Sequence, residues 1–396
     1  MRLLYIADGR SPTARNWISY FVRQGDEAHL VSTSPCPDLP GLASLTVLPV
    51  AFSQVGVQTD GGQVEKSTLR KLTPLWLRTA VRRWFGPLTL SKPAKQLAEI
   101  IAEIAPELVH AMRIPYEGLL AAQAKPEAPL VVSVWGNDFT LHAASNPVLS
   151  WMTRRALRGM TALHTDCRRD LRLASRLGFP GYRLSVVLPG SGGVRGEIFY
   201  PPKQKPALDP PVVINPRGFR AYIRNDTFFK AIPMVLEKHP QARFICPAME
   251  EYPEAQRFVQ QLGIEQAVEL LPMLSQNELA DQLRKAHVVV SPSTHDGTPN
   301  SLLEAIACGC FPVAGDIESI REWIDPGTNG LLVDPRSPTA LAEVIVTAIE
   351  DQALRDRAAG LNTRLIKDFA AYETVMPQAD YFYKQVLQAA QAKKEK

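Results

Sequence analysis

With 396 residues, 45% of them hydrophobic and 21% charged, the chain is long enough for two globular domains of ordinary size, each with its own core. No apolar run approaches the roughly 20 residues that a membrane-spanning helix needs, and the N-terminal LLYIA is too short for a secretory signal, so the expected location is the cytoplasm. The net charge of +4 is uneven: residues 1–190 carry 22 Lys+Arg against 14 Asp+Glu, which points to an anionic partner or surface, but no recognisable nucleic-acid module accompanies it.

MRLLYIADGRSPTARNWISYFVRQGDEAHLVST reads as a buried strand, a loop, a helix and a returning strand, the usual opening of a doubly wound α/β domain. Gly9 falls where the chain leaves the carboxyl end of the first strand, the edge at which such sheets hold ligands, so Gly9 and Arg10 are candidate contacts, with an ordinary turn glycine and a solvated arginine as the alternative. Residues 53–65 read as a polar loop. From 66 to 88, Lys66, Arg70, Lys71, Arg78, Arg82 and Arg83 interleave with Trp76, Trp84 and Phe85. That composition suits a surface lying on anionic lipid headgroups, or a helical excursion packing its aromatics on the domain.

LAEIIAEIAPELVHAM then gives a helix and a strand, and PLVVSVWGNDF a strand ending in a loop at 135–138. A cluster of prolines at 201, 202, 206, 210 and 211 marks a linker between two α/β patterns. The second pattern opens with PVVINPRGFRAYIRNDTFFKAI, a strand followed by a loop with three arginines: Arg217, Arg220 and Arg224. Guanidinium forks suit diphosphate oxygens. The chain ends in an amphipathic helix with a charged tail.

Residues 288–316 spell strand, loop, helix and strand. Pro299 suits the first turn of that helix and Gly309 a left-handed cap at its end. Asn300, Ser301 and Leu302 then offer their amides at the positive end of the helix dipole, where a phosphate is favoured. Asp296 lies in the loop before this terminus and Glu304 about one turn inside the helix. Carboxylates accept hydrogen bonds from hydroxyls, so the set suits a ligand with a diphosphate between two hydroxyl-bearing rings, which is the shape of a nucleotide sugar. The five cysteines are scattered, and Cys308 and Cys310, flanking Gly309, read as buried reduced thiols rather than metal ligands.

Asp296-Gly297-Thr298-Pro299 followed by Leu303-Glu304-Ala305 resembles the acidic-x7-acidic signature of the family-4 retaining glycosyltransferases, with Asp in place of the usual first Glu. The resemblance implies an α/β GT-B fold: two Rossmann-like doubly wound domains with an inter-domain cleft. The first would span 1–200, with the terminal helix 376–396 returning to it, and the second 210–375. It also implies site residues. His110 matches the histidine of a Pro-Asp-x-Val-His element, while in a Thr-x-His-Gly-x-Asp element Trp135 replaces the histidine and Gly136 and Asp138 are retained. His142 is close enough in sequence to substitute.

Carried over residue by residue, the catalytic set would be Arg217, Asp296 and Asp138, and the acceptor or sugar contacts His110, Trp135 and His142. The donor would meet Gly9, Arg217, Arg224, Met273 in the base-reading loop 272–275, Asp296, Gly297, Asn300, Ser301, Leu302 and Glu304; Arg220 competes with Arg224. The implied reaction is metal-independent transfer, with retention, from a UDP- or GDP-linked sugar to a hydroxyl acceptor, lipid-linked acceptors included, in cell-envelope glycan or glycolipid synthesis at the inner face of the membrane. No cofactor beyond the donor is implied. A nucleotide-sugar epimerase or hydrolase of the same fold, or a silent nucleotide-sugar binder at the membrane surface, remains an alternative.

Overall fold

The computed structural model describes residues 1–50, 57–60, 63–66, 89–204, 208–220 and 222–394, the pieces 57–60 and 63–66 by backbone alone. The basic aromatic stretch expected to touch lipid therefore lies, but for the backbone of Lys66, outside the described residues. None of the described helices is long and apolar enough to cross a membrane.

Contacts divide the chain into two compact units, residues 1–192 with 376–396, and residues 193–375. The first contains β1 (Arg2–Ala7), β2 (Glu27–Ser32), β3 (Ser44–Val47), a hairpin of β4 (Val57–Asp60) and β5 (Gln63–Lys66), β6 (Leu108–Met112), β7 (Leu130–Val134), β8 (Ala162–Thr165) and β9 (Ser185–Val187). Apart from the hairpin these form a parallel sheet in the order β3-β2-β1-β6-β7-β8-β9. The central strands are mostly apolar and, apart from Arg2, buried, because crossover helices cover both sides of a parallel sheet. The order reverses between β1 and β6, and the loops leaving their carboxyl ends part at that point to leave a ligand edge.

The second unit repeats the scheme with β10 (Val212–Ile214), β11 (Arg243–Cys246), β12 (Val268–Leu270), β13 (Val288–Ser291), β14 (Phe311–Gly315) and β15 (Leu331–Val333), ordered β12-β11-β10-β13-β14-β15. Its reversal lies between β10 and β13, which places the arginine loop and the acidic loop side by side. Residues 193–200 pack with this unit rather than with the first: the Val194 amide donates to the Ala370 carbonyl at 2.7 Å, and Phe199 enters a core with Ile214 and Val289.

A polar chain runs through the core of the first unit. The Leu188 carbonyl can only accept, so His164 carries its proton on Nε2, 2.9 Å away. His164 Nδ1 must then accept from the Ser133 hydroxyl at 2.8 Å, Ser133 accepts from His110 Nε2–H at 2.7 Å, and His110 Nδ1 accepts from the Tyr383 hydroxyl at 2.5 Å. Tyr383 in turn accepts from the Trp17 indole N–H at 2.9 Å and stacks on Phe21, which seats the terminal helix Tyr372–Lys394 on this unit. Every donor points the same way, and both imidazoles are neutral.

Burial pushes both histidines down, His110 well below its ordinary value with help from neighbouring His164, and His164 from 6.5 to about 4. The unfolded chain binds these protons and the folded one does not, so stability is complete above the unfolded pKa and is lost as pH falls from about 6.5 towards 4. Urea midpoints at pH 7 and pH 5 should differ by the equivalent of roughly 2 kcal/mol per histidine, with a smaller difference in His164→Asn. A flat profile would mean that the imidazoles are not buried in the neutral form.

Candidate functional site

On the second unit, the loop after β10 is shaped from within. Buried Asn215 accepts the Arg217 amide on Oδ1 at 3.2 Å and donates through Nδ2 to Asn225 Oδ1 at 3.1 Å, and Asn225 donates back to the Gly218 carbonyl at 3.0 Å. The loop is tied to the one after β13 as well: Thr294 donates to the Tyr222 carbonyl through its amide and its hydroxyl, and the Arg224 amide donates to the Pro292 carbonyl. Gly315 permits this packing, since a Cβ there would stand 2.3 Å from the Ser293 carbonyl oxygen.

The result brings Arg217 against Asp296 and Ser301. Nη2 of Arg217 donates to Asp296 Oδ2 at 2.5 Å and Nη1 to Ser301 Oγ at 3.0 Å. The two charged side chains are 8% and 12% exposed, so they must satisfy one another. Burial pushes the Asp296 carboxyl up, and Arg217, a hydrogen bond from Ser293 and the Gly297 amide pull it back. Nε of Arg217 is buried and has no acceptor among the described residues.

The following helix runs from Asn300 to Ala307 with Pro299 at its N-cap, not in its first turn as the sequence suggested. The Pro299 carbonyl, left outside the helix, accepts the amides of Leu302 and Leu303, while the Asn300 amide donates to Thr298. Of the amides expected to receive a phosphate, those of Asn300 and Leu302 are thus occupied, and that of Ser301 has no acceptor among the described residues. The Leu302 side chain packs in the core, which removes it from the donor contacts. Gly309, at φ +91°, ends the helix in the left-handed region as expected. Cys308 and Cys310 are buried free thiols, and Cys310 Sγ donates to the Leu283 carbonyl.

Glu304 lies one turn further in. Its carboxylate has no hydrogen-bond or ion-pair partner among the described residues, and burial raises it from 4.5 to about 7 against the pull of Arg217 and Arg195. Arg195 was not foreseen. Its Nε is 3.6 Å from the Glu197 carboxylate and has no hydrogen-bond acceptor among the described residues. Arg224 stands apart: it forms a two-pronged pair with Asp226 at 2.8 and 2.7 Å and no contact with the Arg217 group. Arg220 donates to the Tyr222 hydroxyl, and Met273 is 81% exposed on its loop.

On the first unit the expected contacts fare differently. Gly9 lies at the carboxyl end of β1, its amide bonded to Ser32 Oγ at 3.0 Å, and a Cβ there would meet Cys36 Sγ at 2.4 Å. Arg10 is held by both oxygens of Asp8. His110 is corrected to a core residue: it is fully buried and both ring nitrogens are spent in the polar chain. Asp138 is likewise corrected from catalytic to loop-forming. It is completely buried, with Oδ1 accepting from Arg113 Nε at 2.9 Å and Oδ2 from the amides of Trp135 and Ile114.

Arg113, which no motif signalled, also donates to His142 Nε2 at 3.2 Å, so that histidine is held as well. Arg113 has φ +137°, a conformation that side-chain-bearing residues rarely adopt. Trp135 is half-buried, with its indole N–H lying against Gly190 and lacking an acceptor among the described residues. Asp166, Cys167 and Asp170 bring three potential metal-ligating atoms within 4.8 Å of one another. Arg169 already pairs with Asp170 at 2.8 Å, and burial with two neighbouring carboxylates pushes the thiol far up, which suits an internal ion pair better than a cation.

Two α/β units with parallel sheets, each with its ligand edge at a strand-order reversal, define the class of the GT-B glycosyltransferases. Residues 8–190 match the model of the glycosyl transferase 4-like domain and residues 213–351 that of glycosyl transferases group 1; the chain belongs to that family. The D-inositol 3-phosphate glycosyltransferase of Streptosporangium roseum is 35% identical over 98 residues, 25% of this chain and 22% of that protein. The Nocardioides enzyme of the same name is 29% identical over 150 residues, 34% of this chain and 33% of its own. The matches thus span about a fifth to a third of the length of these curated relatives.

Similar solved structures include sucrose-phosphate synthase of Thermosynechococcus elongatus, with TM-score 0.76, 14% identity and coverage of 98% of this chain and 100% of that one. Anabaena HepE, solved with UDP and glucose, gives TM-score 0.72 at 15% identity, covering 97% and 100%. At such identities the likeness concerns the fold.

If Glu304 accepts hydrogen bonds from ribose hydroxyls, its ionised form accepts on both oxygens and more strongly than the protonated one, so nucleotide affinity should rise as pH passes upward through about 7. Glu304→Gln should bind roughly ten- to a hundredfold more weakly at pH 8 and lose this pH dependence. Calorimetry with UDP and GDP measures both, and unchanged affinity removes Glu304 from the site.

Proposed function

We propose that the protein transfers a sugar, with retention and without a metal, from a UDP- or GDP-linked donor to a hydroxyl acceptor in cell-envelope glycan or glycolipid synthesis. The observation that carries this reading is the buried Arg217, whose uncommitted Nε–H and neighbouring open Ser301 amide stand at the positive end of the helix Asn300–Ala307. Negative charge grows on the donor diphosphate as the glycosidic bond breaks. Arg217, the Ser301 amide and the helix terminus are preorganised to stabilise it, the role that a metal plays elsewhere. The departing phosphate oxygen then takes the acceptor hydroxyl proton on the same face, so no enzymic nucleophile is needed.

Asp296, beside Arg217, accepts from the sugar hydroxyls, and Glu304 from the ribose. On the first unit, Gly9 leaves the backbone open at the carboxyl end of β1, where a Cβ would meet Cys36, and Trp135 lies at the carboxyl end of β7. Matches to inositol-phosphate glycosyltransferases and a fold shared with a protein solved with UDP and glucose support the choice of donor.

Incubation with UDP- and GDP-sugars should release free nucleoside diphosphate far faster with an acceptor extract than without. NMR of the product should show retained anomeric configuration, and chelators should leave the rate unchanged. Release independent of acceptor would make the protein a hydrolase, and none at all a binder. Arg217→Ala should lower turnover on the order of a hundredfold or more, whereas Arg224→Ala, whose guanidinium is engaged by Asp226, should change it little. Equal small effects would mean that the phosphates bind elsewhere.

The protein works in the cytoplasm at the inner membrane face on a lipid-linked acceptor, with the basic aromatic stretch 66–88 on anionic lipid. An Arg78→Glu, Arg82→Glu, Arg83→Glu variant should then pellet less with anionic vesicles than the wild type. Equal pelleting would count against that contact.

A further inference from the structure

Residues 193–200 lie against two helices of the second unit, Gln276–Lys285 and Asn300–Ala307. Val194 and Phe199 share a buried core with Ala280 and Leu283 of the first helix and with Leu302 and Ile306 of the other. The Val194 carbonyl accepts the Tyr372 amide at 2.9 Å, and Arg284 donates to the Ile198 carbonyl at 2.9 Å. Gly193 makes the approach possible: its φ is +97°, and a Cβ there would stand 2.4 Å from the Ala370 carbonyl oxygen. Arg195 is therefore fixed by backbone contacts on either side of it.

Both helices follow strands of a parallel sheet, so their amino ends stand at its carboxyl edge, where ligands bind. Arg195 reaches that end. Its Nη2 donates to Oε1 of Gln276, the first residue of the helix that follows the loop 272–275. It also pulls electrostatically on Glu304, one turn inside the other helix. The guanidinium thus stands between the loop expected to read the base and the carboxylate expected to meet the ribose. Its partner in ion-pair range, Glu197, is 61% exposed and 3.6 Å from Nε, which leaves that N–H without a hydrogen-bond acceptor among the described residues.

An ionised carboxylate only accepts hydrogen bonds, and a guanidinium only donates them. A ribose hydroxyl has a proton to give and lone pairs to fill, so the two groups together satisfy a vicinal pair of hydroxyls that neither serves alone. Diphosphate oxygens would gain nothing from Glu304. The other charged groups around the half-buried Glu304 are engaged or turned to solvent: Asp281 and Arg284 pair with one another at 2.5 Å, and Arg364, Lys367 and Asp368 of the segment packed behind the helix are exposed. Burial pushes the nearby Cys308 thiol up to about 12, so it stays neutral. Arg217 and Arg195 are the charges that act on Glu304.

We propose that Arg195 is a ribose-recognising residue of the donor site, its guanidinium donating to the oxygens of the 2′- and 3′-hydroxyls whose protons Glu304 accepts, so that the pair selects a ribonucleoside diphosphate over its deoxy forms. This role deepens the transfer function proposed above and rests on it.

Calorimetry of UDP and GDP, each against its 2′,3′-dideoxy form, tests it. The wild type should bind the dideoxy forms roughly ten- to a hundredfold more weakly. Arg195→Met should lose about the same factor for whichever ribonucleotide binds and nothing for its dideoxy form, because guanidinium and hydroxyls act through one contact. Arg195→Lys, which keeps the charge, should recover part of the loss. The rise of affinity with pH is a second readout that a merely structural role would not move: without the Arg195 charge its midpoint should climb above about 7, and Arg195→Lys should bring it back. The inference is overturned if Arg195→Met binds ribonucleotides as the wild type does. It is equally overturned if the variant loses the same factor for ribose and dideoxy forms, which would put the guanidinium on the diphosphate. A wild type that binds neither UDP nor GDP overturns the donor assignment itself, and this inference with it.

Discussion

Arg217 and Asp296 meet at 2.5 Å with almost no solvent around either side chain, and the ligand edge of the second unit is built to make that contact tolerable. A charge removed from water requires a partner and further hydrogen bonds, and breaking such a pair leaves an uncompensated charge behind. The two asparagines that close the arginine loop, the ties from Thr294 to Tyr222 and the glycine that admits the Ser293 backbone all serve to hold two loops at this separation. The pair consumes only part of what Arg217 can give. One N–H remains without an acceptor among the described residues, near an open amide at a helix terminus.

The first unit spends its polar groups inwardly. Two of its histidines, a serine, a tyrosine and a tryptophan form one directed chain beneath the sheet, and Arg113 binds both Asp138 and His142 at the ligand edge. What this edge presents is backbone at Gly9 and an aromatic ring at Trp135. Such a surface favours shape and stacking over charge. Among the described residues, Arg154, Arg155 and Arg158 on the helix Pro147–Gly159 are exposed and have no ion-pair partner, in keeping with the excess of Lys and Arg in the first half of the chain.

The sequence by itself determined the two α/β patterns, the acidic-x7-acidic segment and its helix, and the arginine loop, but not where one unit gives way to the other, since residues 193–200 pack with the second. Those features are local: apolar runs, turn residues and fixed spacings act over a few residues, and strand order in parallel sheets leaves little freedom once the elements alternate. It was also enough to put Arg217, Asp296 and Ser301 on neighbouring loops.

Only the tertiary structure decided which ionisable groups are spent. His110 and Asp138 lie on the strands and loops where a motif would put them, yet partners more than twenty residues away claim their polar atoms, and Arg224 is taken by Asp226 while Arg217 keeps an N–H in reserve. The same holds for the helix terminus, where a one-residue shift of Pro299 to the cap position gave the Leu302 amide an acceptor and left that of Ser301 open. Spacing fixes which edge a side chain occupies. Whether it remains free there depends on the hydrogen bonds that distant parts of the chain make when they pack around it, because a buried polar group takes the nearest partner the fold provides.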